Sequence, residues 1–117
     1  MNKRRHLCKA LHNEDFVNSF DIDKSKYPDW IIVGIFYATL HYYESYFSNQ
    51  NKHSTTHDIS DELISNDNKI VNTYDDYREL KQYRWQASYR DTPFSAQCIK
   101  NNIIPKFNNI KRHLQGL

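Results

Sequence analysis

The chain has 117 residues, a net charge of +2 and hydrophobic side chains at 38% of its positions. This length suits one domain, here residues 1–117, and leaves little room for a second. With only two glycines and three prolines, tight β-turns are scarce and a strand-rich fold is disfavoured. The most apolar run, WIIVGIFYATL, covers residues 30–40 and is too short to span a bilayer.

The N-terminus and the cysteines indicate the compartment. No apolar segment follows the basic N-terminal residues, so no signal peptide is predicted, and a soluble cytoplasmic protein is expected. Cys8 and Cys98 are the only cysteines. Two cysteines so far apart make no disulfide framework, and both are predicted to be free, buried thiols.

Charge is unevenly distributed along the chain. Residues 77–117 carry a net +6, from eight basic and two acidic side chains, whereas residues 57–76 carry −5. Such an asymmetry indicates a basic surface for a polyanion. Ordinary solvated helix faces produce the same pattern, so nucleic-acid contact stays an alternative at this point.

The first half of the chain predicts two helices. The first runs from Lys3 to about Phe20, and its apolar phase breaks near residues 12–15, so one irregular helix or two short ones are expected. The second, residues 30–47, is apolar over a wide arc and is predicted to be the central helix of a bundle. One stripe of it carries Gly34, Ala38, His41 and Ser45, which either admits a close neighbouring helix or leaves a cleft beside His41.

The second half predicts three more helices. A short helix capped by Thr55 or Thr56 ends near residues 65–69, and a longer one covers about 71–91. Ser95 is placed to cap the last helix, which Pro105 is expected to kink by removing one backbone hydrogen bond. The predicted fold is therefore all-α, an up-and-down bundle of four or five helices.

The sequence contains little evidence for a metal or cofactor site. His53 and His57 are spaced to place two imidazoles on one helix face, but no third ligand accompanies them. A surface loop that His57 helps to dock is the favoured interpretation. No Gly-rich phosphate loop or nucleophile elbow is present. We therefore predict no metal and no cofactor.

Polar residues on the second and fourth helices are the main candidates for a site. His41 is either a hydrogen-bonded core histidine or part of a polar pocket facing the fourth helix. That helix carries Arg78, Arg84 and Arg90 at six-residue intervals, with Arg84 on its apolar side. Because an unpaired buried charge is costly, Arg84 needs an anion. Glu44 is the favoured protein partner, and a nucleic-acid phosphate is the functional alternative.

Three segments together resemble the HEPN superfamily of small helical bundles: DWIIVGIFYATLHYYESYF, HSTTHDISDELI and YDDYRELKQYRWQASYRD. The similarity is greatest to an uncharacterised bacterial and archaeal branch and covers about residues 12–115. It implies a bundle that often dimerises. Many members are metal-independent ribonucleases of toxin or defence systems, and others bind nucleotides or partner proteins.

The resemblance also implies roles for individual residues. Ribonuclease branches carry an Arg and, four to six residues later, a His; here Arg84 matches the Arg, but Tyr89 stands where the His is expected. An unperturbed tyrosine is a poor general base at neutral pH. Our leading hypothesis is therefore a homodimeric module that binds RNA or a nucleotide in a groove between the second and fourth helices. The groove residues are His41 and Glu44 on one wall and Arg78, Arg84 and Tyr89 on the other, with Arg90 and His57 as further binding residues.

Two alternatives remain open. One is a metal-independent ribonuclease in which Arg84 stabilises charge and His41 or Tyr89 transfers protons. The other is a purely structural subunit, resembling an antitoxin, whose partner is a protein.

Overall fold

The computed structural model describes residues 3–48, 50, 57–90 and 93–117, and the side chains of residues 57–60 lie outside this description. The described elements are helical throughout, which confirms the all-α prediction. They are α1 (Lys3–Asn18), α2 (Pro28–Ser48), α3 (His57–Ser65), a 3₁₀ turn (Val71–Thr73), α4 (Tyr74–Tyr89), α5 (Ala96–Cys98), a π-helical turn (Ile99–Ile103) and α6 (Ile104–Gln115).

Helix α2 is the centre of the bundle, as its wide apolar arc predicted. It packs against α1, α4 and α6. Pro28 opens the helix at a position where its missing N–H has no intrahelical partner, and Asp29 lies in the first turn, at the positive end of the helix dipole. The almost completely buried side chains of α2 include Ile31, Ile32, Ile35, Phe36, Ala38, Thr39, Tyr43 and Phe47.

The small residues of α2 let α1 approach closely. A Cβ placed on Gly34 would lie 2.9 Å from Val17 Cγ2 and 3.1 Å from Phe16 Cδ1, both on α1. Ala38 and Ser45, further along the same stripe, are also buried. Of the two alternatives for this stripe, close helix packing is therefore the one observed. The prediction of an irregular or divided first helix is wrong, because α1 runs without a break from Lys3 to Asn18.

Helices α5 and α6 continue into one another through the π-helical turn. Ser95 caps this helix as predicted: its Oγ accepts a hydrogen bond from the N–H of Cys98 at 3.0 Å. Pro105 cannot donate a backbone hydrogen bond, and the π turn lies directly before it, with the N–H of Ile104 bonded to the carbonyl of Ile99. The irregularity expected at Pro105 therefore takes the form of one wider helical turn.

The remaining sequence predictions concern the length of α4, the two cysteines, a helix cap and membrane spans. Helix α4 begins at Tyr74, after the 3₁₀ turn, and Arg90 is already extended, so the helix is shorter than residues 71–91. Both cysteines are free, but Cys8 is exposed and Cys98 half-buried, so the prediction of buried thiols is wrong. The predicted cap at Thr55 or Thr56 lies outside the described residues. Among the helices described, none combines the length and apolar character that a bilayer span requires.

Candidate functional site

Arg84 projects from α4 toward α2 and is held by aromatic groups. Its Nη2 donates a hydrogen bond to Tyr37 Oη at 3.0 Å. Its guanidinium carbon lies 5.7 Å from the centre of the Tyr37 ring and 5.8 Å from that of Tyr89. Its Nε is buried and has no hydrogen-bond partner in the described part of the chain. The positive charge is therefore packed against π faces, which attract cations, but no described carboxylate compensates it.

The end of α4 exposes two aromatic rings beside two arginines. Trp85 and Tyr89 are one helical turn apart and remain 40% and 66% exposed. Their ring centres lie 6.1 Å apart, with the planes tilted by 49°. The Arg90 guanidinium lies over the Trp85 ring, 4.9 Å from its centre. We call Arg84, Trp85, Tyr89 and Arg90 the Arg–aromatic surface.

An open hollow of about 930 Å³ lies beside this surface. Of the three carboxylates that line it among the described residues, two are paired with lysines. Asp61 on α3 binds Lys81 at 2.8 Å, and Glu79 binds Lys106 at 2.9 Å. The residues that line the hollow are Asp61, Asp75, Arg78, Glu79, Lys81, Gln82, Trp85 and Arg90.

His41 contacts α1. Its Nδ1 lies 3.2 Å from Nδ1 of His6, so the two imidazoles meet across the α1–α2 interface. Burial and, to a smaller extent, the positive charge of Lys9 lower the pKa of His41 below its ordinary value of 6.5. The described contact of His41 is with α1, and the structure shows no direct contact between His41 and Arg84.

Glu44 is buried on α2 but does not pair with Arg84. Tyr37 is the α2 residue that contacts Arg84, in the role that was predicted for Glu44. The two positions are seven residues apart on nearly the same helix face, which separates them by about 10 Å along the axis. Arg84 reaches α2 near Tyr37, and a displacement of that size exceeds what the guanidinium can bridge. The expected ion pair is therefore replaced by a hydrogen bond to a neutral hydroxyl.

The remaining predicted residues are placed as follows. Arg78 is exposed on α4, with its guanidinium 5.8 Å from the centre of the Tyr74 ring, and it lines the hollow. His57 is the first residue of α3, and its side chain lies outside the described part, as does His53. Across the described residues, no three His, Cys, Asp or Glu side chains group closely enough to hold a metal.

Three residues of these contacts were missed by the sequence reasoning: Tyr37, Trp85 and His6. The spacing of Trp85 and Tyr89, four residues apart on one helix, was a signal available in the sequence. Tyr37 shares a face with Glu44, which was identified instead. No pattern in the sequence connects His6 with His41, because they lie 35 residues apart on different helices.

Comparisons of this chain with protein-family models, with curated proteins and with solved structures give no match.

Proposed function

We propose that this protein is an RNA-binding module and that RNA contacts the Arg–aromatic surface at the end of α4. The observation that carries the proposal is the Arg84 guanidinium, which has aromatic neighbours and no carboxylate partner among the described residues. A partly buried charge is costly to leave without a partner of opposite charge. A guanidinium left without one is suited to a phosphate, which it binds through charge-assisted hydrogen bonds.

The charge around Arg84 supports the same ligand. Arg90 is at the end of the same helix, and Arg78 lies three turns earlier beside the hollow. Because Asp61 and Glu79 are paired with lysines, Asp75 is the one lining carboxylate without an ion pair among the described contacts. A phosphate backbone that tracks α4 therefore meets arginines at both ends and, along the described part of the hollow, one carboxylate without an ion pair.

We propose binding in preference to cleavage. A metal-independent ribonuclease needs a proton-transfer group beside the arginine that stabilises charge. Here the polar group that contacts Arg84 is Tyr37 Oη, while the imidazole of His41, one turn further along α2, contacts His6 on α1. Cleavage is accordingly one outcome of the experiment below.

The resemblance to HEPN proteins leads us to propose further that the protein is a homodimer in the cytoplasm. The measurement is the molar mass from light scattering after size exclusion, at several protein concentrations. A mass that stays at the 14.1 kDa of one chain overturns the dimer and leaves the RNA proposal untouched.

The test of the function is RNA affinity, measured by fluorescence anisotropy with labelled RNA in EDTA over a range of salt concentrations. Arg84→Gln and Arg90→Ala are each expected to weaken binding roughly tenfold and to reduce the salt dependence by about one released counterion. Arg112→Ala is the matched control, since Arg112 is exposed on α6 and its Nε bonds to the Asn108 carbonyl of its own helix.

Circular dichroism establishes that each variant is folded. RNA binding with no difference between Arg84→Gln and Arg112→Ala contradicts the assigned surface. Absence of RNA binding by the wild type contradicts the function and favours a protein-interaction subunit. RNA cleavage in EDTA that Arg84→Gln abolishes favours the ribonuclease alternative.

A further inference from the structure

We infer that the Arg–aromatic surface recognises unpaired bases, so that the RNA it binds is single-stranded. This inference rests on the proposed function and names the form of its ligand. It is carried by Trp85 and Tyr89, whereas the proposal above is carried by Arg84. The two therefore depend on different side chains and can fail separately.

The two rings are available to a ligand to an extent that packing does not explain. Trp85 and Tyr89 expose 40% and 66% of their surface, although large aromatic side chains gain more from burial than most others. Other aromatic residues of α4 follow that tendency: Tyr77 is fully buried, and Tyr83 is half-buried against Phe94. Trp30 and Tyr27 are also exposed, at 55% and 56%, but within α4 the exposed rings are confined to the last turns, where the arginines are.

Their arrangement suits a flexible strand. With ring centres 6.1 Å apart and planes at 49°, Trp85 and Tyr89 cannot both stack on one flat base pair, but each can take one base of a strand that turns between them. Base–aromatic stacking tolerates any sequence because every base has a π face. Arg90, over the Trp85 ring, and Arg84, beside Tyr89, add the positive charge that the intervening phosphates require.

An RNA duplex does not present base faces on which Trp85 and Tyr89 could stack. In an A-form helix the base faces are stacked on one another, the major groove is too deep and narrow for side chains, and recognition falls to the 2′-hydroxyls and phosphates of the minor groove. The exposed rings of Trp85 and Tyr89 would then contribute little to the affinity for a duplex. The same four residues therefore predict a preference that charge alone cannot produce.

The experiment compares one RNA sequence of about 12 nucleotides as a single strand and as a blunt duplex. The protein carries Trp30→Phe, which leaves Trp85 as its one tryptophan, so that intrinsic fluorescence reports on the proposed contact. We expect the single strand to quench Trp85 and to bind at least roughly tenfold more tightly than the duplex at equal phosphate concentration.

Variants separate stacking from charge. In single-strand binding followed by anisotropy, Trp85→Leu and Tyr89→Ala are each expected to lose roughly 5- to 100-fold in affinity with an unchanged salt slope. Tyr27→Ala is the matched control, because Tyr27 is also an exposed tyrosine but precedes α2.

The outcomes distinguish the two proposals. Equal affinity for strand and duplex, or full affinity in Trp85→Leu and Tyr89→Ala, overturns the inference and leaves RNA binding intact. Failure of both RNAs to bind overturns the proposed function, and the inference with it. Single-strand preference lost only in the aromatic variants establishes the inference.

Discussion

His6 and His41 place two imidazole nitrogens 3.2 Å apart across the α1–α2 interface. At this distance one Nδ1 must donate a proton and the other must accept it. If both rings are protonated, both nitrogens carry hydrogens and both rings are positive, so the contact becomes repulsive. Lys9, on the same face of α1, adds to this repulsion and contributes to the lowered pKa of His41. A single side-chain contact therefore makes the packing of α1 sensitive to acid.

The sign of the pH effect follows from the direction of the shift. The folded state holds the His41 pKa below 6.5, so the unfolded chain takes up the proton first as the pH falls. The stability that this histidine contributes is complete above about pH 6.5 and is lost as the pH falls through the folded-state pKa. We predict that His41→Gln loses less unfolding free energy than the wild type between about pH 7.5 and 5.

Urea unfolding at a series of pH values measures this difference. His12→Gln is the control, since His12 is an exposed histidine on α1. Parallel pH profiles for the wild type and His41→Gln would show that the imidazole pair does not influence stability in this range.

At the scale of the helices, a hydrogen bond and an ion pair to one carboxylate link three of them. The Glu14 carboxylate on α1 accepts a short hydrogen bond from Tyr42 Oη on α2 and a 2.9 Å ion pair from Lys111 Nζ on α6. Burial, and next the bond to Glu14, raise the pKa of Tyr42, which keeps its hydroxyl protonated as a donor. One carboxylate thus fixes the mutual position of α1, α2 and α6.

We predict that Glu14→Gln lowers the free energy of unfolding by about 1–3 kcal/mol, because hydrogen bonds to charged groups are stronger than neutral ones and the single amide oxygen leaves either Tyr42 or Lys111 without its acceptor. Asp23→Asn is the control. It breaks the 2.6 Å Lys100–Asp23 pair, whose side chains are 45% and 63% exposed, and is expected to cost under about 0.5 kcal/mol. Equal losses in the two variants, from urea unfolding curves, would contradict the structural role given to Glu14.

At the scale of the whole molecule, the central position of α2 couples the other helices. Its buried side chains form the core against α1, α4 and α6 together, and the largest buried residues of α4 and the C-terminal helix belong to the same cluster. Helices α4 and α6 also contact each other, but both belong to the same buried cluster as α2, so unfolding of α2 removes apolar contacts from α1, α4 and α6. The chain is therefore expected to unfold as one cooperative unit.

The prediction is that helix content, followed by circular dichroism, and tertiary packing, followed by aromatic fluorescence, are lost in one coincident transition in urea. Trp30 is on α2 and Trp85 on α4, so single-tryptophan variants report on the two helices separately. Two separated midpoints would show that α4 unfolds independently of α2 and would contradict a single core.

The amino-acid sequence by itself determined the features that depend on near neighbours in the chain. Apolar residues repeating with the helical period placed α2, α4 and the last helix, and the hydroxyl of Ser95 marked a helix start, because these signals act within one or two turns. The wide apolar arc of α2 also revealed its central position, since a helix apolar on several sides must be covered on each of them.

Only the tertiary structure decided which polar side chains meet between helices. A shift of one helical turn, about 5.4 Å, exchanges one partner for another, and a small rotation turns a residue from one neighbour to the next. Arg84 therefore meets Tyr37 instead of Glu44, and His41 meets His6 of α1, a contact that no sequence pattern indicated. Such contacts depend on the relative position and rotation of the helices. These are determined by the packing of the whole core and not by any single segment.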